Sequence, residues 1–319
     1  MRVGQNPAKF VKDVARPERI TVAVLSYIPF LSGFYAETLD VLKVCLASAR
    51  KDAGLPFDLL VFDNGSCAEV QDWLMNEQRA GNIQYLILSE KNLGKGGAWN
   101  IILSGAPGEI IAYADSDVLF YPGWLKHSVE LLETFPNVGM VTARPYRTNP
   151  QFYSSTVAWA ESQAEVQVER GQFIPWDVFR EFDLSLGQSE EEIRQRYETT
   201  EDVRICYKGL QAIAGASHWQ FTAYKSTLAQ FLPFQMDRPM GQVKQLDQRV
   251  NDAGLLRLMP TQPYAMNLSN TLRGLKPDSN QSDRPPAKRR NVLLDFPPLR
   301  AFLLKLYDSI FRWYYDRQG

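Results

Sequence analysis

Apolar and polar positions alternate in two rhythms along the first half of this chain. Short continuous apolar runs at 20–25 (ITVAVL), 57–62 (FDLLVF), 83–88 (IQYLIL), 110–114 (IIAYA) and 138–142 (VGMVT) have the length of buried strands. Between them apolar residues recur at helical spacing. Leu39, Leu42, Leu46 and Ala49 share one face, 97–104 reads as a helix, and 122–135 reads as a helix with proline at its start. Strands separated by helices predict an α/β fold, a Rossmann-like, mostly parallel sheet with helices on both faces. Ligands of such sheets bind beyond the carboxyl ends of the strands, so the residues just after each apolar run are where chemistry is expected.

The second half is patterned less regularly. Residues 151–207 are polar, aromatic and acidic, with Glu190-Glu191-Glu192 among them. A short strand is read at 212–215, a helix at 223–231, a helix at 246–253 closed by Gly254, and a last strand at 255–259. Residues 267–291 are rich in Pro, Ser, Asn and Arg and read as a linker. A final amphipathic helix carries Leu299, Phe302, Leu303, Leu306, Ile310 and Trp313 along one stripe. The expected organisation is a tail (1–19), a first half (20–145), a second half (146–265), and a linker with a C-terminal helix (266–319).

Composition narrows the function classes. The 319 residues are 45% hydrophobic and 22% charged, as in a soluble globular protein. A net charge of −1 argues against nucleic acid as a partner held by bulk electrostatics. Cys45, Cys67 and Cys206 are widely spaced and form no CxxC, so neither a disulfide framework nor a zinc–thiolate site is indicated. Free thiols suit a reducing cytoplasm. Residues 1–19 lack the apolar core of a signal peptide, and no run approaches the roughly 20 apolar residues of a spanning helix. The expectation is a cytoplasmic protein.

Three polar clusters follow consecutive predicted strands. Asp63-Asn64-Gly65-Ser66 puts a carboxylate where a base N–H or a ribose hydroxyl can be met; the same residues also make a capped Asn-Gly turn. In the run 92–100 (NLGKGGAWN) three glycines allow close backbone approach, and Lys95 at a helix start favours phosphate oxygens. Its spacing is neither a Walker A loop nor GxGxxG, and a tight strand-to-helix turn would use the same glycines. Asp115-Ser116-Asp117 ends a buried run, where two carboxylates repel unless a cation joins them. Mn²⁺ or Mg²⁺ bridging to a diphosphate would balance that charge; a solvated turn is the plainer alternative.

Strand-Asp-Asn-Gly-Ser, then Asn-x-Gly-x-x-x-Ala-x-Asn, then strand-Asp-x-Asp, in this order, resembles the family 2 glycosyltransferases of the GT-A fold over about residues 20–144. The resemblance implies an inverting transferase that passes a sugar from a nucleotide diphosphate, most often UDP, to an acceptor hydroxyl of a glycan or glycolipid. It makes 20–145 the nucleotide-sugar-binding half and 146–265 the acceptor half. By it Asp63 contacts the base, and Asn92, Gly94, Ala98 and Asn100 lie beside the nucleotide sugar. Asp115 and Asp117 are the DXD pair, with Asp117 on the divalent metal, Asp115 on ribose or a metal-bound water, and Ser116 between them. Ser26-Tyr27 is the first nucleotide-contacting turn, with Ile28 in place of the usual Asn.

Farther along, the family carries an acidic pair ahead of a helix like the one read at 246–253. Aligning Arg249 and Gly254 puts Gln242 and Val243 at the pair's positions. Asp247 and Asp237 are therefore the candidate bases; Glu201-Asp202 lies far upstream, and a surface or capping role competes for each. His218 and Trp219 are candidates for contact with the acceptor, the leaving phosphates or the metal. His127 reads as packed or solvated, and Trp159 and Trp176 as core residues able to stack on sugars.

The C-terminal stripe, with Arg300, Lys305, Arg312, Arg317, Arg284 and Lys288-Arg289-Arg290 around it, fits docking on the protein's own core or on a partner subunit. It also fits peripheral contact with an anionic membrane's inner face, which would suit a lipid-linked acceptor. Two rival functions remain. A sugar nucleotidyltransferase would carry a glycine- and basic-rich loop where this chain reads Ser-Tyr-Ile-Pro-Phe. A non-catalytic nucleotide-sugar-binding module is favoured by the missing acidic pair.

Overall fold

The computed structural model describes residues 4–236 and 242–272. The described residues up to Thr271 form one compact unit around a ten-stranded sheet. The first block is parallel. Strands β1 (Ile20–Ser26), β2 (Asp58–Asp63), β3 (Tyr85–Leu88) and β4 (Ile110–Asp115) are joined by helices α1 (Thr38–Arg50), α2 (Ala68–Arg79) and α3 (Gly94–Gly105), in the sheet order β3-β2-β1-β4.

The continuous apolar run of β1 has a simple cause. Ile20, Val22 and Val24 face one core with Leu42 and Leu46 of α1, while Ala23 and Leu25 face a second core with Trp99 and Ile102 of α3. A strand covered on both faces has no solvent side, so the period-two signal disappears. Register sets Ser26 beside Asp63 and Leu25 beside Asp115, which brings the carboxyl ends of β1, β2 and β4 to one edge.

Beyond β4 come β5 (Val118–Phe120), α4 (Trp124–Thr134) and β6 (Val138–Val141). The segment read as irregular then proves regular, with α5 (Ser154–Ser162), β7 (Gln167–Gly171), α6 (Trp176–Ser185), α7 (Glu190–Thr199) and β8 (Asp202–Tyr207). No position of β7 is buried, and it holds the sheet edge by pairing with β8 alone, so it has no apolar pattern to read. The acidic run 190–192 is the first turn of α7, where Ser189 and Glu192 form a capping box and the helix dipole favours negative charge.

After β9 (Leu210–Ala214), β10 (Gln220–Tyr224) takes the start of the helix expected at 223–231, leaving α8 only Lys225–Ala229. Its place between β4 and β6, antiparallel to both, overrides local helix preference. Helix α9 (Gln242–Asp252) is closed by Gly254 at φ 73°, and β11 (Leu256–Met259) runs parallel to β6. Strand β12 (Ala265–Asn267) pairs with β5 as a separate two-stranded sheet. The start of the expected linker, residues 267–271, therefore packs against the unit. The rest of the linker, the C-terminal amphipathic helix and Asp237 lie outside the described residues. Among the described residues no helix is long and apolar enough to cross a membrane.

Candidate active site

The strand ends of the parallel block border a cavity of about 390 Å³, a size suited to a small organic ligand. Tyr27, Asn64, Asn92, Lys95, Asp115 and Asp117 are among its lining residues, with Gly94 and Ser116 between them.

Asp63 lies beneath this cavity rather than in its wall. Its Oδ2 accepts from Ser66 N at 3.0 Å and Gln71 Nε2 at 3.1 Å, and its buried Oδ1 has no partner. Ser26, beside it in register, is also buried with an unpartnered Oγ. Gly65 has φ 88°, and a Cβ there would stand 3.0 Å from Asn92 N and from the Lys91 carbonyl carbon. Glycine is what allows the two loops to meet backbone to backbone.

Asn64 and Asn92 lock that meeting. Asn64 Nδ2 donates to Asn92 Oδ1 at 2.9 Å, Leu93 N donates to Asn64 Oδ1 at 2.9 Å, and Gly94 N donates to Asn92 Oδ1 at 2.8 Å. Asn100, within α3, is engaged with the backbone of Phe234. Its Nδ2 donates to Phe234 O at 2.9 Å and its Oδ1 accepts from Phe234 N at 2.7 Å. Phe234 lies in irregular backbone whose polar groups need partners, and Asn100 supplies both.

The acidic pair is asymmetric. Lys95 Nζ sits 2.7 Å from the Asp115 carboxylate, and the Tyr113 hydroxyl donates to Asp115 Oδ1 at 2.6 Å. Burial, and then the charge on Asp115, push the Tyr113 phenol well up. Asp117 has no such company: its Oδ1 is buried without a partner. Burial first, then Asp115, raise its carboxyl above the usual range, with Lys95 opposing. An unsatisfied carboxylate oxygen beside a second carboxylate suits a hard divalent cation. Among the described residues no three His, Cys, Asp or Glu side chains gather, so an ion held here would need oxygen ligands from outside the protein.

Part of the cavity wall was missed by sequence reasoning. Ser269 and Asn270, just past β12, line it next to the loop after β1. Asn270 Nδ2 donates to Phe34 O at 2.8 Å, and Thr271 Oγ1 donates to Glu37 Oε2 at 2.8 Å. A run of small polar residues was the only signal, and it reads equally as linker.

The second half contributes a different set. Ser217 and Gln220 form a bridge, so His218 and Trp219 are the tip of a tight turn that opens β10. Asp115 N donates to Trp219 O at 2.8 Å, which stitches this tip to the acidic pair. Asp247 does not present a free carboxylate: it is buried, Arg257 donates to one oxygen, and His218 Nδ1 lies 2.7 Å from the other.

Trp219 is buried with its ring stacked on Phe182, centroids 6.0 Å apart. Asp202 is a framework residue, paired with Arg147 at 2.7 Å and accepting from Phe173 N and Ile174 N. His127 stacks on Tyr264 at 4.3 Å, Trp159 meets Tyr207 and Trp176 meets Tyr197 edge to face, all as packed residues.

Residues 33–179 match the family described as Glycosyl transferase family 2. An uncharacterized glycosyltransferase of Nostoc sp. is 29% identical over 108 residues, 34% of this chain and 32% of that protein. The match thus spans about a third of that relative's length. Among solved structures, S. aureus TarS (1-349) aligns at 13% identity over 78% of this chain and 60% of that chain, with a TM-score of 0.46. The mannosyltransferase PcManGT from Pyrobaculum calidifontis, in complex with GDP-Man and Mn2+, aligns at 17% identity over 82% and 59%, with a TM-score of 0.45.

Proposed function

We propose, from the premise that residues 33–179 belong to glycosyl transferase family 2, that this protein moves a sugar from a nucleoside diphosphate to an acceptor hydroxyl. The observation that carries this reading is the buried, unpartnered Asp117 oxygen beside Asp115 at the edge of a ligand-sized cavity. A divalent cation, Mn²⁺ or Mg²⁺, held by Asp117 and Asp115 would supply positive charge against the leaving diphosphate. Lys95 and the amino end of α3, at the same rim, add further positive potential for phosphate oxygens. Tyr27 and Asn64 line the cavity, and Asp63 backs it from below as the candidate for the base. UDP is the favoured nucleotide, a glycan or glycolipid the favoured acceptor, and inversion at the anomeric carbon follows if the acceptor displaces the nucleotide in one step.

Melting temperatures measured with UDP, GDP, dTDP, CMP and ATP, each with and without Mn²⁺, test the reading, because a ligand that binds only the native state must raise the melting temperature. One diphosphate is expected to raise it, only with Mn²⁺, and Asp117→Ala to abolish the rise in a chain that still folds. No rise with any nucleotide would remove the transferase reading. A metal-dependent rise that survives Asp117→Ala would remove the metal assignment.

A further inference from the structure

The acceptor hydroxyl must lose a proton as it attacks, and the acidic pair expected to take it is replaced by Gln242 and Val243. The structure offers another group, one residue from Trp219, whose carbonyl oxygen accepts from Asp115 N at 2.8 Å. His218 stands at the tip of the Ser217–Gln220 turn with its side chain 27% exposed, while Asp247 behind it is 7% exposed. With the proton on Nδ1, His218 donates to Asp247 Oδ2 at 2.7 Å and leaves the Nε2 lone pair free.

The scaffold around this pair is over-determined. Arg257, itself buried, donates to Asp247, to Ala216 O at 2.6 Å and to Phe152 O at 2.6 Å. Ser217 N donates to Thr142 Oγ1 at 2.7 Å, and Ala143 N donates to Gln220 Oε1 at 2.6 Å. Asp115 N is tied to the next residue of the turn, Trp219. A carboxylate orienting an imidazole, with that carboxylate oriented in turn by an arginine, is the arrangement expected of a positioned proton acceptor.

We propose that His218 Nε2 is the catalytic base of this protein and Asp247 its positioning residue, an inference that rests on the transferase reading above. The acceptor O–H bond breaks and its proton passes to Nε2 while the oxygen bonds to the anomeric carbon. The bond from that carbon to the phosphate oxygen breaks, and its electron pair leaves with the nucleoside diphosphate. The imidazolium, held by Asp247, then returns its proton to solvent.

The test separates binding from turnover. A panel of UDP-, GDP- and dTDP-sugars is offered with Mn²⁺ and water as the acceptor. Nucleotide affinity is read by thermal shift and turnover by release of free nucleoside diphosphate. His218→Gln is expected to keep the Mn²⁺-dependent affinity and to lose about 10²–10⁴-fold in kcat. His218→Ala is expected to regain turnover with added free imidazole, a recovery that a packing role would not show. Asp247→Asn is expected to lower kcat at unchanged donor KM; should it fail to fold, the His218 variants decide alone.

Wild-type turnover in His218→Gln would overturn the proposal. So would loss of metal-dependent affinity, which would make His218 a phosphate or metal contact instead. A wild-type protein that binds a nucleotide sugar but never turns it over would overturn the base assignment and leave a binding module. One that binds no nucleotide sugar would fail the transferase reading itself.

Discussion

The two sides of the sheet treat their buried charges differently. On the parallel side Asp117 keeps an oxygen with no partner, and Lys95 reaches a single carboxylate, Asp115. On the mixed side buried arginines are each tied to several acceptors. Arg144 donates to Ala265 O, Val178 O and Glu181, Arg147 to Asp202, Tyr197 O and Thr200, and Arg257 to Asp247, Ala216 O and Phe152 O. The planar guanidinium suits the second task, because its fixed fork holds several oxygens at once. These arginines are framework while Asp117 keeps an open valence, so buried charges carry different consequences when altered.

The comparison breaks hardest at Arg257. Arg257→Met leaves Asp247 buried without its cation and should cost about 3–5 kcal/mol in urea unfolding. Adding Asp247→Leu should recover most of that loss; if it does not, the carboxylate is not what the arginine serves. Asn100→Ala comes next. It strands two backbone groups of Phe234 and should cost roughly 1–3 kcal/mol while leaving Mn²⁺-dependent nucleotide affinity as it was, measured by thermal shift. A fall in affinity would return Asn100 to the site. The smallest effect has the opposite sign. Asp117→Asn, in metal-free buffer, removes a charge from beside Asp115 and should stabilise by about 1 kcal/mol in the same unfolding experiment, as expected where a site holds charge together for a ligand.

The parallel block was readable because burial on both faces forces continuous apolar runs, and each run must end where the chain meets solvent. Asp63 and Asp115, the polar residues that close β2 and β4, therefore marked the edge where the cavity lies. What the pattern could not carry was partnership. Asn92 and Asn100 are the same residue type eight positions apart, one just before α3 and one within it, yet Asn100 serves a distant backbone and Asn92 its own turn. Strand β7 exposes most of its length, so only its neighbour β8 defines it. Helix α8 lost its first two expected positions, 223 and 224, because β10 pairs with strands 81 to 114 residues earlier in the chain, and that tertiary pairing overrides local propensity. Asp247 looked like a free carboxylate until Arg257 and His218 were placed around it.

The contact between Asn270 and Phe34 joins residues 236 positions apart in the chain. A ribosome makes residue 34 long before residue 270, so the loop after β1 waits for almost the whole of this unit before its partner segment arrives. Contacts of such separation form late, after local ones have closed. During synthesis the parallel block can assemble its core while the cavity still lacks one side. Completion of the cavity thus reports completion of the unit, and a nascent chain stopped short of β12 would hold a sheet without a finished cavity.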